Sequence, residues 1–126
     1  MMLITMMLAQ AAANLPVRVP LGEVPLPEPK NVARVIVMRV NFAAGQEMPR
    51  HVHPAPVVCL VEHGRFSAKI GDAPAREVGT GEVTLEPANV EIGWFRNLSA
   101  TEPASLVCTF LAGSDDHELA RMLPPR

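Results

Sequence analysis

Proline and glycine set the first limit on what this chain can fold into. Thirteen prolines and eight glycines cut its 126 residues into short apolar runs bounded by turn residues. Such punctuation suits many short strands joined by turns, because proline cannot continue a helix or donate to a central sheet ladder. The chain has room for one domain with a hydrophobic core. Apolar residues make up 48% and charged ones 19%, which excludes a disordered polymer and a membrane bundle. The formal net charge is −2 and no two Lys or Arg residues are adjacent, so no nucleic-acid partner is expected.

The ends of the chain read differently from its middle. "MMLITMMLAQAAA", residues 1–13, joins a short apolar run to small residues placed as A-x-A. That is the shape of a secretory signal peptide and is too short to span a bilayer, although no Lys or Arg precedes Arg18. The alternatives are export, secreted or periplasmic, or an apolar N-terminal segment on a cytoplasmic protein. Residues 14–31 carry five prolines and read as an extended arm. "SDDHELARM", residues 114–122, is the one stretch that invites a helix, with Ser114 as N-cap, acids in the first turn and Arg121 near the end. His117 would be exposed on it.

Between the ends, "VARVIVMRVNF", "VVCLVEH", "RFSAKI", "VTLE", "IGWFRN" and "SLVCTFLAG" read as strands, with turns at His63-Gly64 and Gly71-Asp72. About seven or eight strands at this spacing predict an all-β single domain, a sandwich or barrel over residues 32–112, followed by a short helix or tail over 113–126. Cys59 and Cys108 would form one disulfide in an oxidising compartment or remain two buried thiols in a reducing one.

The chemistry concentrates in "PRHVHP", residues 49–54. On a strand, His51 and His53 point to the same side. The spacing Gly45-x5-His51-x-His53, then position 57 and Gly64, resembles the first motif of the cupin superfamily, G-x5-H-x-H-x3-4-E-x6-G. Further on, Gly81, Pro87 and Asn97 resemble the second, G-x5-P-x-G-x2-H-x3-N. The likeness covers roughly residues 30–112 and implies a jelly-roll barrel with a pocket inside.

Family members usually hold a divalent metal with the two histidines and glutamate of the first motif and the histidine of the second. Here the glutamate position is Val57 and the second-motif histidine position is Ile92, or Gly93 if one extra residue before Asn97 is placed earlier. The second-motif glycine position is Asn89. The metal motifs are therefore degenerate. The resemblance implies His51 and His53 as ligands and a pocket lined by Val57, Cys59, Ile92 and Trp94. A bound ion wants at least three protein ligands, so Glu47, Cys59 and Glu91 are candidates for the third. In the resembled fold Cys59 and Cys108 lie on neighbouring strands.

The expected function is binding of a small molecule in the barrel, with a partial two-histidine site that is weak or lost. The alternative is an oxygenating, isomerising or decarboxylating enzyme using zinc, manganese, iron or nickel. A third reading is metal-free proton transfer by the imidazole pair. Small cupins often dimerise, and the arm at 14–31 could serve a homodimer.

Overall fold

In the run Val57–His63, Val57, Cys59 and Val61 are buried while the residues between them are half-buried, the period of a strand with one face on a core. The same alternation carries Leu106, Cys108, Phe110 and Ala112 inward from Ala104–Ala112. The computed structural model describes residues 14–126, and among these there are ten strands and no helix. They are β1 (Arg34–Phe42), β2 (Glu47–Met48), β3 (His51–Val52), β4 (Val57–His63), β5 (Arg65–Ile70), β6 (Arg76–Gly79), β7 (Val83–Glu86), β8 (Ile92–Asn97), β9 (Ala104–Ala112) and β10 (Arg121–Met122). The expectation for residues 1–13 lies outside the described residues.

Two antiparallel sheets face each other. One has the order β1-β9-β4-β7; the other runs β10-β3-β8-β5-β6, with β2 also paired to β8. The fold is all-β, as the strand pattern predicts, and is the jelly-roll barrel that the cupin resemblance implies. Phe42, Phe66 and Phe95 pack edge-on or tilted between the sheets, with ring centroids 5.0 Å apart for Phe42–Phe66 and 5.2 Å for Phe66–Phe95. Cys59 and Cys108 stand opposite each other in the β4–β9 ladder, Cα to Cα 4.0 Å, and form a disulfide.

Two backbone details explain departures from the resembled motifs. Asn89 has φ +61°, the left-handed conformation that glycine adopts freely and asparagine tolerates best among the rest, so it fills the motif's glycine position without changing the turn. The extra residue before Asn97 is taken up as a bulge in the β5–β8 ladder: Lys69 pairs with Trp94 but Ile70 pairs with Ile92, leaving Gly93 over. A Cβ at Gly93 would meet Lys69 Cγ at 2.8 Å, so any larger residue here would force the Lys69 side chain to shift.

The expected helix at 114–122 does not form. A nine-residue helix is marginal on its own, and here other partners claim its groups. The Asp116 carboxylate accepts from the Gly113 amide at 2.7 Å and from Lys30 at 2.6 Å. The segment then runs extended, and Arg121–Met122 pairs with β3, Met122 opposite His51. The tail thereby extends the six-stranded sheet as its β10 edge.

Candidate metal centre

His51 is on β3 and His53 follows directly after it, both pointing into the barrel and nearly fully buried. Each ring is fixed by a backbone carbonyl. His51 Nδ1–H donates to the Pro49 carbonyl at 2.7 Å, and His53 Nδ1–H donates to the Leu119 carbonyl at 2.8 Å. Both Nε2 atoms are thereby presented to the interior, 3.1 Å apart.

Across the barrel, Thr84 and Glu86 share the buried face of β7. Glu86 Oε2 is 3.0 Å from His53 Nε2, and its Oε1 is 3.9 Å from His51 Nε2. The three ligand atoms lie within 4.8 Å of one another, a buried group able to hold a metal ion. Two imidazoles and one carboxylate match the donor set of three-ligand sites for zinc and non-haem iron. Burial pulls the His53 pKa down, but the hydrogen bond and charge of Glu86 and the Leu119 carbonyl more than offset it. In the metal-free protein His53 is held above the ordinary histidine value.

Glu86 was not among the expected ligands. Its position is nonetheless simple: in the β4–β7 ladder it stands directly opposite Val57, the residue at the motif's glutamate position. A carboxylate is thus supplied from the adjacent strand, on the face that Val57 shares. Its one signal in the sequence is the parity it shares with Thr84, just before Pro87.

The other expected third ligands are elsewhere. Glu47 lies on the exposed side of β2 and accepts from Arg96 at 2.9 and 3.0 Å. Glu91 is held by Arg50 and by Arg126 at 2.8 Å, and the Arg50 hydrogen bond, ahead of the Arg126 charge, keeps its carboxyl below the usual range. Cys59 is committed to the disulfide.

Next to the ligands is a cavity of about 290 Å³. Val57 and the Cys59–Cys108 disulfide line it, together with Phe42, Phe95 and Phe110. Ile92 is fully buried opposite His51 but does not line the cavity. Trp94 is turned away, a correction to the expected pocket. The bulge at Gly93 reverses the parity of β8, so Phe95 points in while Trp94 donates Nε1–H to Ser67 Oγ at 3.0 Å and lies under the Arg96 guanidinium. Leu119, Ala120 and Met122 of the tail complete the wall.

No protein-family model matches the sequence, and no curated protein matches it. Solved structures do. An oxalate oxidase in complex with the substrate analogue glycolate is 28% identical, with a TM-score of 0.56 over 62% of this chain and 42% of that one. The DMSP lyase DddQ from Ruegeria pomeroyi DSS-3 is 18% identical, with a TM-score of 0.59 over 70% of this chain and 42% of that one. Oxalate decarboxylase from Bacillus subtilis is 18% identical, with a TM-score of 0.61 over 71% of this chain and 24% of that one. The chain thus spans about two fifths or less of the length of these three proteins. The last two likenesses concern the fold alone.

Proposed function

Since the chain is a small cupin barrel, we propose that it is a metal-dependent enzyme acting on a small organic molecule, with His51, His53 and Glu86 as the ligands of one divalent ion. The observation that carries this reading is the convergence of three buried donors, two of them oriented by backbone carbonyls, beside a cavity. Such outer partners fix ring direction and raise ligand affinity. A divalent ion there supplies a Lewis acid with positions open to a substrate or O₂. The chain's own groups do the rest: Pro49 and Leu119 hold the rings, the apolar wall offers water few partners, and Glu86 offsets one of the ion's two charges. Oxygenation, isomerisation and decarboxylation all remain within reach of this donor set.

The test is elemental analysis of protein from its own host, followed by chelation and calorimetric titration with zinc, manganese, ferrous iron and nickel. Stoichiometric binding of at least one, lost in Glu86→Gln, supports the proposal. No heat with any of them overturns it.

The apolar cavity also favours a second reading, a binding module that needs no metal. Its signature is ligand-induced thermal stabilisation that survives a chelator. Two wider proposals accompany these. An exported, oxidising location is supported by the Cys59–Cys108 disulfide. A homodimer is supported by the arm, where Leu15, Val17, Val19 and Leu21 are all exposed, as are Val35 and Val37 on edge strand β1. Sedimentation of the full chain and of a variant lacking residues 14–21 tests the dimer, which the deletion should dissociate.

A further inference from the structure

The cavity is chemically one-sided, and this bears on what it takes in. Among the side chains lining it, the polar ones are His51, His53 and Glu86, all at one place. No Lys, Arg, Asn, Gln, Ser or Thr of the described residues contributes to the wall. Arg50, the guanidinium nearest the histidines in sequence, is turned outward to Glu91 and the Pro124 carbonyl. Once the three ligands are occupied, a second polar group on a bound molecule would have no side-chain partner, and burying it so is costly. A dicarboxylate does not suit such a wall.

The rim differs in kind from the floor. Met38 is 41% exposed and Met122 52%, and with half-buried Met48 they put three unbranched, polarisable side chains on the cavity wall. Methionine adapts to apolar bodies of varied outline and contacts aromatic rings favourably. Phe95 and Phe110 supply flat surfaces deeper in.

The geometry points to a ligand with a single oxygen-bearing head, placed at the three-donor centre, and an apolar body extending over the aromatic wall toward the methionines. For scale, an apolar cavity of ~150 Å³ accepts a benzene ring, and this one is about 290 Å³. The body is therefore one aromatic ring with a short side arm, or a chain of about six to eight carbons, as apolar cavities of this class hold. This inference rests on the metal reading for the head and on the lining alone for the body.

The experiment uses the full-length protein in two forms, loaded with Co²⁺ and stripped with chelator. Calorimetry on the loaded form compares acetate, hexanoate, phenylacetate and adipate. Hexanoate and phenylacetate should bind at least about tenfold tighter than acetate, from the apolar area they bury, and tighter than adipate, whose second carboxylate would meet the apolar wall. Toluene, which has no head, should raise the melting temperature of the stripped form. Absence of Co²⁺ binding would sink the metal reading while the toluene arm still judges the cavity. Adipate binding as tightly as hexanoate, or no effect of toluene on the stripped form, would overturn the ligand class.

Discussion

Glu86 and Val57 face each other across the β4–β7 ladder, so the carboxylate that a first-motif glutamate would supply comes from the neighbouring strand. Directly opposed residues on an antiparallel pair project to the same side at short range. Exchanging them should therefore be tolerated chemically. Glu86→Val is expected to weaken metal binding by about a hundredfold or more, beyond the loss typical of outer partners. Val57→Glu in the same chain should restore much of it. Calorimetric titration checks both, and full affinity in the single variant would remove Glu86 from the ligand set.

The stripped protein should respond to pH through His53. Its pKa is raised from the ordinary 6.5 in the folded state. Its pairing with Glu86 therefore contributes fully below that ordinary value and is lost as pH rises through the raised one. A metal ion must displace the His53 proton, so affinity should climb across the same window. Melting temperature against pH, for stripped wild type and Glu86→Gln, reads the first effect. A profile identical in the two would refute it.

The Cys59–Cys108 link closes a loop with a sequence separation of 49. Constraining a loop of that size in the unfolded chain stabilises by about 4 kcal/mol in the entropic treatment. The double variant Cys59→Ala/Cys108→Ala should lose about 3–4 kcal/mol in urea unfolding. A loss below about 1 kcal/mol would mean the two thiols are not joined.

The tail should matter to the metal as well as to the fold. Leu119 orients His53, and the segment is pinned by Asp116, whose carboxyl is held below its usual range by Lys30 first and the Gly113 amide second, with the Arg34 charge adding to them. That pin is present above the ordinary carboxylate pKa and fails as pH falls through the lowered one. Asp116→Asn should loosen residues 114–123 at neutral pH and reduce metal affinity about tenfold, as losing an outer partner does. Hydrogen exchange of the tail amides gives the first measurement. Unaltered exchange would show that Lys30 and Asp116 do not pin it.

Much of this could be read in the residues themselves. The two-residue period of Val57, Cys59 and Val61 marked a strand, and the resemblance of the Gly45, His51 and His53 spacing to the cupin motif implied a barrel with an inward imidazole pair. What stayed hidden depends on partners distant in sequence. Glu86 enters the site through the register of β7 on β4, which no local pattern encodes. The surplus residue before Asn97 was visible as a count, but only pairing with Lys69 and Ile70 makes it a bulge that turns Trp94 out and Phe95 in. Residues 114–122 carry sound helix signals, overridden because Lys30, His53 and β3 offer their groups better partners.

The imidazoles and the carboxylate come from different leaves of the barrel: β3 belongs to the six-stranded sheet, β7 to the four-stranded one. An ion gripped by both would act as a rivet between the leaves. Its departure would let them breathe, so occupancy would set stiffness across the whole molecule as well as chemistry at one point.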